Sequence, residues 1–200
     1  MKRYTSIYKK YQIMEMINNK LKLEIPKICK VFEQFDIDYC LIGGASLPTY
    51  NLNRATEDVD FLVFVNDKQK LESLIGVYFK PQFPNSKRNL IWNDGKILVE
   101  FLYSGEVSGA TGGLEFKKPS DLSEKTDGMK IITLPNLIQY KLSSGMYGRR
   151  TKDLSDVEEL IKLNNLSNNY CETNNFREDF KRKWQECWLN AEFDKQNKRW

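Results

Sequence analysis

The run Asp58-Val59-Asp60-Phe61-Leu62-Val63-Phe64-Val65 constrains this chain more than any other stretch. It opens acid, apolar, acid and is then apolar at every position, which predicts a central β-strand covered on both faces after its acidic start. Such a strand needs partner strands beside it and elements packed above and below, and 200 residues are enough for one sizeable core with a helical appendage. At 40% hydrophobic and 29% charged residues, with 11 Gly and 6 Pro, the chain has the composition of a folded globular protein. Its longest apolar run, Phe61 to Val65, falls far short of the roughly 20 residues that cross a bilayer. Met1-Lys2-Arg3 is followed by polar residues instead of an apolar leader. The expectation is a cytoplasmic protein with no membrane partner.

The chain has no histidine. That removes Ser-His and Cys-His nucleophile pairs, imidazole proton shuttles and His-ligated zinc together. Cys29, Cys40, Cys171 and Cys187 are too widely spaced for a metal knuckle and read as reduced packing residues. Catalysis, if present, must run on carboxylates, Lys, Arg, backbone amides and hard metals. The net charge is +4, and Lys2, Arg3, Lys9, Lys10, Lys20, Lys22, Lys27 and Lys30 face only Glu15 and Glu24 in the first thirty residues. This permits an anionic partner, but a solvated lysine-rich face is the simpler reading.

Periodicity divides the rest. Residues 1–24 predict an N-terminal helical segment, and Pro26 suits the first turn of a second helix with Ile25, Ile28, Cys29, Phe32 and Phe35 on one face. Tyr39 to Ile42 predicts a strand ending at Gly43-Gly44, followed by a short helix to Tyr50. Lys68 to Tyr78 predicts a helix. Leu90 to Trp92 and Lys96 to Tyr103 predict two strands, with Asp94-Gly95 as a tight hairpin between them. Ser104 to Asp127 reads as a long functional loop with a short strand near Leu114 to Phe116. Lys130 to Thr133 predicts a last strand, Pro135 opens a helix to about Met146, and Asp153 to Asn164 forms another. The Asn-rich stretch from Asn164 to Asn175 predicts a linker to a helix from Phe176 to Phe193, where Trp184 and Trp188 pack. The domain reading is therefore 1–24, a central domain over 25–163, and a helical extension over 164–200.

Asp58 and Asp60, two apart on a strand, send both carboxylates to one side while Val59 and Phe61 point to the core. Two like charges there repel, and a hard divalent ion such as Mg²⁺ relieves the repulsion; a capping or Arg54-paired acid beside a solvated one is the equal alternative. Glu100 lies in the apolar run Ile97 to Leu102, where a carboxylate is costly unless paired or metal-bound. An edge-strand glutamate turned to water is the alternative. Gly43-Gly44 before a helix start offers free amides to an anion such as a triphosphate, although such a turn is more often a tight bend. Arg54 suits a phosphate or the acceptor, or equally a pair with Glu57 or Asp58. Lys141 emerges from the stripe Leu134, Leu137, Ile138 and Leu142, either snorkelling or binding phosphate. Asp153 reads as a helix cap or dipole complement.

Ile42-Gly43-Gly44, a thirteen-residue spacer, then Asp58-Val59-Asp60-Phe61 resembles the signature of the nucleotidyltransferase superfamily with the DNA polymerase beta-like fold. The string Asn53 to Leu62, with Leu134 to Leu142 and Arg149 to Ile161, is similar to small bacterial abortive-infection nucleotidyltransferase toxins. The resemblance covers about residues 25 to 163. It implies an α+β fold, a mixed sheet with flanking helices, here with a C-terminal helical extension. It also implies Asp58, Asp60 and Glu100 as catalytic metal carboxylates for Mg²⁺ or Mn²⁺, Gly43, Gly44 and Ser46 as a triphosphate cradle, and Lys141 as a triphosphate contact. The third acid is most often aspartate in the superfamily, and Ala45 follows Gly44 here, so the motif serine would be Ser46.

The activity implied is Mg²⁺-dependent transfer of a nucleoside monophosphate from an NTP to an acceptor hydroxyl on a nucleic acid such as tRNA, a protein or a small molecule. The alternative is a catalytically silent binding module or toxin-antitoxin component, with a protein partner or a second copy of the chain. The enzymatic reading requires the three acids to converge beside the double glycine with no arginine in the cation's place.

Overall fold

A computed structural model describes residues 19–197. Residues 1–18, which include most of the expected N-terminal helix, lie outside the described residues. The chain forms two compact units that interleave along the sequence. Residues 19–46, 53–104 and 118–132 make the first, and 47–52, 105–117 and 133–197 the second.

The first unit is built on a mixed seven-stranded sheet of order β3-β4-β5-β2-β1-β9-β8. Its strands are β1 (Tyr39–Ile42), β2 (Asp58–Val63), β3 (Phe79–Pro81), β4 (Asn89–Trp92), β5 (Ile97–Tyr103), β8 (Ser123–Thr126) and β9 (Met129–Ile132). β2 is central as predicted, antiparallel to β1 and parallel to β5. Val59, Phe61 and Val63 enter a core with Tyr39, Phe79, Val99 and Phe101.

Helix α1 (19–34) packs into that core through Phe32, whose ring lies 5.1 to 6.2 Å from those of Tyr39, Phe61, Phe79 and Phe101. The helix runs straight through Pro26, where the sequence predicted a start. Proline inside a helix costs about 3 kcal/mol. Leu21 and Ile25 before it are buried beside Ile28, Cys29 and Phe32, and each buried apolar side chain returns roughly 1.5–3 kcal/mol, enough to carry the helix across residue 24. Phe35, expected on the same stripe, is half exposed and meets the Tyr78 ring edge-on.

The second unit is helical, with a two-stranded ribbon of β6 (Val107–Ser108) and β7 (Leu114–Glu115). Its main helices are α5 (Leu134–Tyr147), α6 (Thr151–Leu163) and α8 (Glu178–Asn197). Gly145 lets α5 meet α6, because a methyl group there would lie 2.5 Å from a Leu154 carbon. The expected boundary at 163/164 falls inside this unit. Leu160, Trp184 and Cys187 are all buried in it, and Trp184 donates from Nε1 to the Asn168 carbonyl at 3.0 Å. The Asn-rich stretch holds a short helix, α7 (Tyr170–Thr173), whose Tyr170 ring stacks on Trp184. Burial of Trp184 explains why the extension does not stand apart.

Three elements of the first unit escaped the periodicity: β3, β8 and the one-turn helix α4 (Pro119–Leu122). The predicted helix from Lys68 to Tyr78 is shorter, α3 (Lys68–Ser73), and gives way to turns with Gly76 at φ +92°. The Asp94-Gly95 loop joins β4 and β5 as expected but is four residues long, since Trp92 pairs with Ile97. The two-residue hairpin lies instead at Asp127-Gly128, where Thr126 pairs with Met129 and both loop residues have positive φ, as a type I′ turn demands. Gly128 sits at φ +81° with open space where a Cβ would go. Gly128→Ala is therefore expected to cost about 1–2 kcal/mol through backbone strain alone, read in a urea melt. Gly76→Ala, similarly open, should cost a comparable amount.

Candidate active site

Pairing in the sheet fixes where the acids stand. Ile42 lies opposite Asp60, Asp60 opposite Glu100, and Glu100 opposite Asn89, so one row across β1, β2, β5 and β4 carries Ile42, Asp60, Glu100 and Asn89. Directly paired residues share a face, so these side chains project from the side away from Val59, Phe61 and Val99. Asp58 projects from the same side two residues earlier and is exposed, while Asp60 and Glu100 are half-buried.

Just after β1 the chain turns at Gly43 and Gly44 into a one-turn helix, α2 (Gly43–Ser46). A methyl group on Gly43 would lie 1.9 Å from Asp60 Oδ2, and the residue sits at φ +66°. On Gly44 it would lie 2.7 Å from Thr56 Oγ1 and 3.6 Å from an Arg54 nitrogen. The two glycines thus make room for β2's acid and for the loop before it. This differs from a bare phosphate cradle, because the space beside Gly43 already holds a carboxylate. Ser46 is buried and donates its hydroxyl to the Gly43 carbonyl at 2.9 Å, which closes the turn. Arg54 contacts the Ala55 carbonyl at 3.4 Å from Nη1. Thr56, which the sequence reading passed over, places Oγ1 3.0 Å from Asp58 Oδ1.

Asp58 and Asp60 offer hard oxygen donors on one side of one strand. That set suits Mg²⁺ or Mn²⁺, which bind through one or two carboxylates and complete their shell with water and phosphate oxygens. Glu100 does not complete a trio. Its Oε1 lies 3.6 Å from Arg88 Nε, and among the described residues no group of three acidic or sulfur-bearing side chains is gathered closely enough to hold a metal ion. The physical reason is charge: a glutamate on an apolar strand needs a counter-ion, and Arg88, immediately before β4, supplies it. A hairpin centred on Asp94-Gly95 already puts Asn89 opposite Glu100, so Arg88 and Asn89 were reachable from the sequence once that register was drawn.

Lys141 belongs to the second unit and has a third role, neither of the two weighed from sequence. Its side chain is only 6% exposed, with Nζ 3.0 Å from Asp153 Oδ1 and 2.6 Å from Asp156 Oδ2. Burial pushes the Asp153 carboxyl up, but the Lys141 charge and hydrogen bond, helped by Ser144 and Arg150, hold it below the ordinary range. Asp153 makes no side-chain cap at the start of α6; it stands in the first turn as a lysine partner. A lysine held by two buried carboxylates is not available to a phosphate in this arrangement. The cysteines are free and buried, and burial pushes the Cys29 and Cys187 thiols up to about 12, which leaves them unreactive.

No protein-family model and no curated protein sequence matches the chain. Solved structures do. The solution structure of the antibiotic-resistance factor ANT(2'')-Ia aligns over 90% of this chain and 98% of its own at 11% identity, with a TM-score of 0.51. The chain shares the fold of that factor, an α+β arrangement of a mixed sheet with flanking helices. A candidate nucleotidyltransferase from H. pylori aligns over 90% of this chain and 94% of its own at 19% identity and TM-score 0.46. A nucleotidyltransferase-like antigen from Paracoccidioides brasiliensis aligns over 84% and 93% at 17% and 0.44. No helix among the described residues is long and apolar enough to cross a membrane.

Two outcomes follow from these placements. Gly43→Ala should destabilise the protein by about 2 kcal/mol or more in a urea melt, since it combines left-handed backbone strain with a collision against Asp60. Lys141→Met should cost about 3–5 kcal/mol by leaving two buried carboxylates without a counter-charge. Because the folded-state acidity of Asp153 is enhanced, its contribution is complete above about pH 4 and is lost as pH falls below that value. Acid titration of wild type against Asp153→Asn should show that increment disappear.

Proposed function

We propose that the chain is a divalent-metal-dependent nucleotidyltransferase that moves a nucleoside monophosphate from an NTP to an acceptor hydroxyl. One observation carries the reading: on this fold, Asp58 and Asp60 project from one side of a central strand, with the Asp60 carboxylate seated against Gly43 at the double-glycine turn. Asp58 and Asp60 would hold the Mg²⁺ or Mn²⁺. When bound, it would neutralise charge on the transferring phosphoryl group.

The chain's own residues would do the rest. The glycine turn after β1 and the Arg54 guanidinium beside Gly44 would face the triphosphate. Glu100, already half-buried and tied to Arg88, can accept the acceptor's hydroxyl proton as general base. In the transfer the acceptor oxygen bonds to the α-phosphorus, the bond from that phosphorus to the bridging oxygen breaks, and pyrophosphate leaves. Lys141 has no part in this scheme, because its charge is consumed by Asp153 and Asp156. A nucleic-acid end such as tRNA, a protein hydroxyl or a small molecule would serve as acceptor. The resemblance to abortive-infection toxins and the likeness in fold to an antibiotic-resistance factor favour different members of that set.

The three-acid convergence expected from the sequence is not met, because Glu100 is paired with Arg88 instead of joining Asp58 and Asp60, so the enzymatic reading rests on the aspartate pair alone. The Arg88–Glu100 ion pair supports a second reading, a silent binding module on the same fold or a toxin-antitoxin component. The two separate in one assay. Incubation of the protein with labelled NTPs, Mg²⁺ or Mn²⁺ and cell extract should label an acceptor, and Asp58→Asn with Asp60→Asn should lower that labelling at least about a hundredfold. Nucleotide binding that is indifferent to both substitutions, with no labelled product, would instead establish the silent module.

A further inference from the structure

We propose that Thr56 is a positioning residue for the cation site: its hydroxyl fixes the Asp58 carboxylate so that Oδ2 faces the metal. The inference rests on the reading of Asp58 and Asp60 as a metal-binding pair. Asp58 is exposed at the first position of β2, and an exposed aspartate is otherwise free to exchange rotamers. Thr56, two residues upstream in the loop, places Oγ1 3.0 Å from Asp58 Oδ1 and 3.2 Å from the Asp58 backbone carbonyl. A single hydroxyl proton shared between these two acceptors is drawn mainly to the charged carboxylate, the stronger and nearer of the two. With Oδ1 occupied by that bond, Oδ2 remains for an ion.

The other side of Thr56 shows that the hydroxyl is itself located. A methyl group at position 44 would lie 2.7 Å from Thr56 Oγ1 and 3.1 Å from its Cβ, so the side chain is seated against a backbone that only glycine leaves open. Gly44, at a φ accessible to any residue, is required here by space and not by conformation. Asp60 is seated the same way against Gly43. The double glycine therefore locates both acids of the pair, one directly and one through a threonine.

The test is titration of the full chain with Mn²⁺ alone, followed by the electron paramagnetic resonance signal of the free ion, with a thermal melt of each variant. Wild type should bind, and the Asp58→Asn, Asp60→Asn double variant should not. Thr56→Val, which keeps the shape and removes the hydroxyl, should weaken Mn²⁺ binding about tenfold to a hundredfold, the usual scale for a group that orients a metal ligand. Thr56→Ser should restore wild-type affinity. Unchanged affinity in Thr56→Val would overturn the role of Thr56 and leave the cation site standing. Equal loss in the valine and serine variants, both melting as wild type does, would overturn it too, since the hydroxyl would not be the cause. Wild type that binds no better than the double variant would overturn the cation site and this role together.

Discussion

The contact between the Asp60 carboxylate and the backbone at Gly43 is the constraint on which the candidate site depends. It follows from register: Ile42 pairs with Asp60, so the residue after Ile42 meets whatever side chain Asp60 carries. Any side chain at position 43 would strike that carboxylate, and the local φ of +66° disfavours one for a separate reason. The glycines are thus packing requirements of an acid-bearing strand before they are anything else. That also explains how an acid can sit half-buried near the middle of a sheet whose other face is a closed aromatic core.

Charge compensation governs the remaining acids. Glu100 stands directly opposite Asp60, and two carboxylates so placed repel unless something positive intervenes. In this structure Arg88 draws Glu100 at 3.6 Å. Both partners are more than a third exposed, so the pair contributes little to stability, and a modest competing charge can displace it. Glu100 therefore keeps its carboxylate beside the pair without being committed to it. Lys141 presents the opposite case. Its ion pairs are buried on both sides, desolvation makes breaking them expensive, and the lysine is correspondingly fixed as an internal counter-charge.

Much of the fold was legible wherever one local rule governed. The doubly covered β2, the strand before the glycines, α5 opening near Pro135 and the α6 stripe all follow from hydrophobic period and punctuation, and the structure places them within a few residues. The failures share a cause. Pro26 signals a helix start, but burial of Leu21 and Ile25 on its far side outweighs the missing hydrogen bond. Asp94-Gly95 and Asp127-Gly128 are the same dipeptide, yet only the second forms a two-residue turn. Gly95 instead admits Glu24 of α1, since a methyl group there would lie 2.6 Å from a Glu24 carbon.

By itself the sequence determined that Asp58 and Asp60 share one side of a central strand and that the glycine turn lies one strand away, because alternation along a strand is a property of the chain alone. It also settled the absence of imidazole chemistry. Tertiary structure decided which charges are spent and which stay available. Whether Lys141 reaches a phosphate or neutralises Asp153 and Asp156, and whether Glu100 stands alone or beside Arg88, depends on residues far away in sequence. Coulombic energy depends on separation in space and on burial, and neither is written in the spacing of residues along the chain.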